Sequence, residues 1–121
     1  MVAVETLPDL SGVFGPRGRD ILFDAVAALR ARLPVTEIWL FGSCARGAAR
    51  KDSDLDLLVA LRDNHGLLRP TLECFKIVNH LPNPIGADVI AIKQSQWRAE
   101  QERPFGLFGA VVREGICLYA E

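Results

Sequence analysis

Strands alternating with amphipathic helices predict an α/β (α+β) fold, one small mixed β-sheet packed by helices. Three observations carry this expectation. Short aliphatic or aromatic runs recur at Thr36–Phe41, Leu55–Leu61, Ala87–Ile92 and Ile116–Tyr119, each bounded by glycine, proline or polar residues. Between them, apolar residues return at helical spacing. The chain has 121 residues, half of them hydrophobic, which suffices for one core and leaves no room for a second.

In order along the chain, residues 1–16 carry Pro8, Gly12, Gly15 and Pro16 with little periodicity and read as an N-terminal arm preceding a domain over 17–121. From about Arg17 to Leu33, Leu22, Val26, Leu29 and Leu33 form a stripe, with Ile21 and Ala25 beside it and Arg19, Arg30 and Arg32 largely off it. This is an amphipathic helix that Pro34 ends. Thr36–Phe41 is a strand stopping at Gly42, and the small, basic stretch 42–50 includes a short helical turn. Leu55–Leu61 is the second strand, followed by a turn over 62–66. Leu67 to His80 suits a helix with Leu68, Leu72, Phe75 and Val78 on one side, and Pro82 and Pro84 forbid its continuation. Ala87–Ile92 is the third strand and Gln94–Glu102 a polar helix. A further helix starts at Pro104 and runs through Phe105, Phe108, Val111 and Val112, with Gly115 as its C-terminal cap. Ile116–Tyr119 is the last strand.

Composition excludes several classes. The formal net charge is −1, so nothing suggests a protein that holds nucleic acid by bulk electrostatics. No apolar run approaches the roughly 18–20 residues of a spanning helix. The opening Met1–Glu5 lacks a basic region followed by an apolar block, so a cytoplasmic location is expected. Cys44, Cys74 and Cys117 are widely spaced and odd in number, which fits reduced thiols better than a disulfide or a zinc site. His65 and His80 lack metal-ligand spacing. Trp39 and Trp97 read as core or interface aromatics. Leu107, Phe108 and Val111 fit either core packing or an apolar patch for a partner.

Three pieces carry chemistry. Gly42-Ser43 directly follows a strand, so backbone N–H groups and a hydroxyl can approach phosphate oxygens; alone, such a pair is also an ordinary turn. Asp54-Leu55-Asp56 places two carboxylates on one face of a strand, roughly 6.5–7 Å apart along the chain. A divalent cation relieves their repulsion, although a solvated strand end would also tolerate them. Leu55, Leu57, Val59 and Leu61 face the opposite way and anchor the strand. Asp88 interrupts an otherwise apolar strand, where a carboxylate is costly unless paired, metal-bound or at an exposed edge. If its strand neighbours that of Asp56, three carboxylates converge, enough for two metal ions about 3.5–4 Å apart.

Gly42-Ser43, ten intervening residues and Asp54-Leu55-Asp56 match the GS-x10-DxD signature, and FGSCARGAARKDSDLDLLV resembles the corresponding segment of the polymerase-β-like nucleotidyltransferase superfamily. The closing REGICLYAE is similar to the end of its small MNT members. The resemblance implies that Gly42 and Ser43 hold the triphosphate. It implies that Asp54 and Asp56 bind catalytic Mg²⁺, two ions in all. Asp88 would be the third carboxylate, ligating one metal and helping to deprotonate the attacking hydroxyl. Arg46 would either neutralise phosphate charge or brace the loop. Arg50 and Lys51 read as solvated loop charges or further phosphate contacts.

Small chains of this kind resemble the MNT antitoxins encoded beside HEPN toxins. The implied function is transfer of AMP from ATP to a hydroxyl of a partner toxin, usually a tyrosine, with release of pyrophosphate. That step is analogy at the level of fold and size. The short link between Asp56 and Asp88 leaves little room for an acceptor-binding insertion, which favours a protein acceptor. The alternatives are an aminoglycoside-type small-molecule enzyme and a non-catalytic antitoxin or binding module. An RNA-tailing enzyme would want a basic groove that the composition does not show.

Overall fold

The computed structural model describes residues 18–46, 54–81, 86–103 and 105–121. The arm expected over 1–16 lies outside them, as do Gly47, Arg50, Lys51, Ser53, Pro82, Pro84 and Pro104. The elements follow as α1 (Gly18–Arg32), β1 (Val35–Phe41), α2 (Gly42–Ala45), β2 (Leu55–Leu61), α3 (Pro70–Asn79), β3 (Ala87–Lys93), α4 (Gln94–Glu102), α5 (Gly106–Glu114) and β4 (Ile116–Ala120).

The four described strands form one mixed sheet in the order β3-β2-β1-β4. β1 runs antiparallel to both β2 and β4, and β2 runs parallel to β3. Parallel neighbours cannot be joined by a tight turn, and α3 is the crossover that joins β2 to β3.

β2 lies inside the sheet and is covered on both faces, which is why LDLLVAL reads as an almost continuous hydrophobic run. On one face Leu55, Leu57, Val59 and Leu61 meet Leu22 and Leu29 of α1 and Cys74 and Val78 of α3. On the other, Leu58 and Ala60 join Phe41, Trp97 of α4 and Val111 of α5. Each buried leucine contributes about 1.5–3 kcal/mol of gross transfer free energy. The one position of β2 that is not buried is Asp56.

α1 buries Leu22, Val26 and Leu29 of the expected stripe, with Ala25 beside them, while Leu33 is half-buried and Arg19, Arg30 and Arg32 face solvent. Arg30 lies over the Tyr119 ring, 4.0 Å from its centroid.

α3 departs from expectation. It starts at Pro70, a residue suited to a first helical turn, and turns Cys74, Ile77 and Val78 to the core. Leu68 precedes the helix and is 93% exposed, and Leu72 and Phe75 are 38% and 44% exposed. The sequence holds two apolar stripes at helical spacing, the expected 68/72/75/78 and 74/77/78/81, which share the buried Val78. The geometry of the β2–β3 crossover selects the second.

Phe105 also differs, standing exposed just ahead of α5. Gly115 ends α5 as expected, but with φ −73° rather than a left-handed cap. A Cβ there would overlap the Val111 carbonyl oxygen, so close approach explains the glycine. No described helix is long and apolar enough to cross a membrane.

Candidate active site

The sheet brings four chain segments to one end: the exit of β1 and the entries of β2, β3 and β4. β1 leaves the sheet at Phe41, and Gly42 turns the chain with φ 73°, a left-handed conformation that favours glycine. The short helix α2 begins there and carries Ser43. Phe41 is the register partner of Asp56, so the Gly42 turn lies beside that carboxylate. A Cβ on Gly42 would overlap Asp56 Oδ2 and come within 3.0 Å of its Cγ.

β2 and β3 enter side by side, with Leu55 opposite Ala87 and Asp56 opposite Asp88. The condition set by the sequence is therefore met: the Asp88 strand adjoins the Asp56 strand, and both residues stand at one level. Asp54 and Asp88 are exposed and Asp56 is half-buried. Burial, then the charges of Asp88 and Asp54, push the Asp56 carboxyl above the ordinary aspartate range, and Arg46 partly opposes them. Beneath the site, the buried Cys44 thiol donates to the Asp54 carbonyl oxygen at 3.5 Å. Burial, with Asp56 and Asp54, raises its pKa.

Arg46 forms an exposed ion pair with Glu114, at the end of α5, at 3.3 Å. The guanidinium also opposes the upward shift of the Asp56 carboxyl electrostatically. Glu114 could not have been singled out from the text, since it is distant in sequence and has no motif. Gly86 was missed too. It precedes β3, its carbonyl accepts the Leu55 N–H at 2.9 Å, and a Cβ on it would overlap Asp54 Oδ1.

The donor set suits a hard divalent cation. Among the described residues, no Lys or Arg forms an ion pair with Asp54, Asp56 or Asp88. Nor do three acidic, histidine or cysteine side chains close into a ready-made cage. An open carboxylate edge is what Mg²⁺ uses when substrate phosphates complete its shell.

A cleft of about 560 Å³ opens at the opposite end of the sheet, lined in part by Thr36, Glu37, Arg62, Gln94 and Arg98. Several of its polar groups are engaged with one another. Glu37 accepts from the indoles of Trp39 and Trp97 and from Gln94, at 3.0, 3.3 and 2.6 Å. Thr36 bonds Gln94, and Arg62 pairs with Glu121. Trp39 and Trp97 meet edge-on with ring centroids 5.8 Å apart, as core aromatics do. His65 and His80 are bound locally, to the Leu67 N–H and the Lys76 carbonyl. The three cysteines are free thiols. Val111 is buried and Phe108 partly so, whereas Leu107 is 48% exposed.

The profile of the family described as "Nucleotidyltransferase domain" matches residues 24–104, which include both the Gly42-Ser43 turn and all three aspartates. The chain belongs to this family. Over 41 residues, 34% of this chain, it is 49% identical to the protein adenylyltransferase MntA of Thermococcus cleftensis; the match spans 41% of that relative's length. A nucleotidyltransferase structure from Sulfolobus solfataricus superposes with TM-score 0.58 at 18% identity, covering 87% of this chain and 82% of the other. A toxin–antitoxin structure with AMP-PNP gives TM-score 0.57 at 20% identity, covering 86% and 74%. A variant MntA–HpeT toxin–antitoxin complex gives 0.54 at 21%, covering 79% and 70%. These likenesses show the fold.

Proposed function

We propose that the chain is a metal-dependent protein adenylyltransferase, the antitoxin of a toxin–antitoxin pair whose toxin is of HEPN type. The observation that carries the reading is the in-register pair Asp56 and Asp88 beside the Gly42-Ser43 turn. This sets an acidic edge against a backbone turn suited to phosphate. The MntA relative is a protein adenylyltransferase, and MntA occurs with a toxin in the related complexes, which supports both the reaction and the partner.

Position supports the following roles. Gly42 and Ser43 hold the triphosphate of ATP through backbone N–H groups and a hydroxyl. Asp54, Asp56 and Asp88 hold two Mg²⁺ ions, which supply charge neutralisation on the phosphates when bound. Arg46 exchanges Glu114 for phosphate. Asp88, exposed at the rim, accepts the proton of the acceptor hydroxyl. The acceptor oxygen forms a bond to the α-phosphorus, the bond from that phosphorus to the bridging oxygen breaks, and pyrophosphate leaves. Residues 17–121 act as a single catalytic domain.

Mass spectrometry of the co-expressed partner, after incubation with Mg²⁺ and each nucleoside triphosphate, tests the reading. A gain of one or more AMP units with ATP, lost in the Asp54→Asn/Asp56→Asn double variant, is the expected result. A tight complex with no mass gain from any nucleotide would favour a non-catalytic antitoxin. Transfer to an aminoglycoside but not to the partner would favour a small-molecule enzyme.

A further inference from the structure

Glycine is required at a position for one of two reasons: a backbone conformation that other residues avoid, or a neighbour where Cβ would sit. Gly42 has both, with its positive φ and Asp56 against its Cα. Gly86 has only the second. Its φ is outside the left-handed region that Gly42, Gly66 and Gly106 adopt. The three nearest atoms a Cβ would meet all belong to the Asp54 carboxylate: Oδ1 in overlap, Cγ at 3.2 Å and Oδ2 at 3.9 Å. The Gly86 backbone is itself fixed at this place by the hydrogen bond from Leu55 N–H to its carbonyl, which also anchors the residue next to Asp54.

Asp54 is exposed and stands just ahead of β2, outside the ladder that holds Asp56 in register with Asp88. Its side chain has fewer constraints than that of Asp56, and the Gly86 backbone forms one wall of the space it occupies. The two aspartates thus rest on glycines from opposite neighbours of β2, Asp56 on the turn after β1 and Asp54 on the entry to β3.

We infer that Gly86 is a positioning residue for Asp54: the bare Cα face lets the carboxylate lie at the sheet edge where a divalent cation is held with the nucleotide. This rests on the metal-dependent reading above. A methyl group at position 86 is compatible with the backbone, so its effect falls on the carboxylate, which must rotate away. Displacing a group that orients a metal ligand typically weakens metal affinity by about ten- to a hundredfold.

The test uses the purified chain, Mn²⁺ monitored by electron paramagnetic resonance with a non-hydrolysable ATP analogue, and thermal unfolding. Gly86→Ala is expected to weaken Mn²⁺ binding about ten- to a hundredfold, while the metal-free protein keeps its Tm within a few degrees. Any Tm loss should vanish in an Asp54→Ala background, where the methyl group meets no carboxylate. Unchanged Mn²⁺ affinity in Gly86→Ala overturns the assignment. So does an equal Tm loss in both backgrounds, which would place the requirement in the fold. If Gly86→Ala alone does not fold, folding of Asp54→Ala/Gly86→Ala supports the assignment, and failure of both overturns it. None of these readouts needs nucleotide transfer. Wild-type protein that binds Mn²⁺ but transfers nothing would count against the proposed reaction and leave the role of Gly86 standing.

Discussion

Asp56 and Asp88 are direct register partners on adjacent parallel strands, two carboxylates at one level beside the Gly42 turn. The fold holds like charges together here, with the added charge of Asp54 next to them. A site built this way is under electrostatic load until a cation arrives.

That load gives the first prediction. Because the folded pKa of Asp56 is raised, its favourable contribution is complete below the ordinary aspartate value and is lost as pH rises through the folded value. At neutral pH the ionised group opposes folding. Asp56→Asn should therefore raise the Tm of the metal-free protein by about 2–5 °C at pH 7, with the gain shrinking toward pH 4. Millimolar Mg²⁺ with ATP should stabilise the wild type but not this variant. Scanning calorimetry at both pH values checks this.

Gly42→Ala should be costly in two ways. A left-handed conformation costs a non-glycine residue about 1–2 kcal/mol, and the new methyl group overlaps Asp56. Urea unfolding should show at least that loss, and nucleotide binding by calorimetry should disappear even in the folded fraction.

The Arg46–Glu114 pair is exposed on both sides, so it adds little stability. Glu114→Gln should leave the Tm within a degree or two. If it frees Arg46 for phosphate, ATP binding should tighten by about two- to fivefold, the equivalent of a surface ion pair. Arg46→Ala should weaken ATP binding instead, and isothermal calorimetry on the two variants gives the comparison.

Trp97 is fully buried and touches both Trp39 and Phe108. Trp97→Ala should cost about 3–5 kcal/mol, read from urea unfolding followed by Trp39 fluorescence. The Trp97 indole donates to Glu37, which lines the cleft at the end of the sheet opposite the candidate site, so the folded variant should keep its ATP affinity.

Much of this was legible in the linear text. Strand and helix identities followed from periodicity, and the spacing of Gly42-Ser43 and Asp54-Leu55-Asp56 marked the candidate site, because both pairs sit on one local stretch of chain. The alternation in β2 assigned Leu55, Leu57, Val59 and Leu61 to one face, as found. The helical stripe of α3 was not decided locally, since two stripes satisfy the same period and only contact with α1 and β3 selects between them.

The sequence alone determined which residue types stand near one another along the chain: a turn that can take phosphate, two carboxylates two residues apart at the start of a strand, a third inside an apolar strand. Tertiary structure decided which of them meet. The parallel register of β2 and β3 sets Asp88 level with Asp56, the end of α5 supplies Glu114 to Arg46, and the entry to β3 places Gly86 against Asp54. Local periodicity comes from backbone geometry, whereas register and close approach arise only when separate segments pack, and no single stretch of sequence encodes the distance between them.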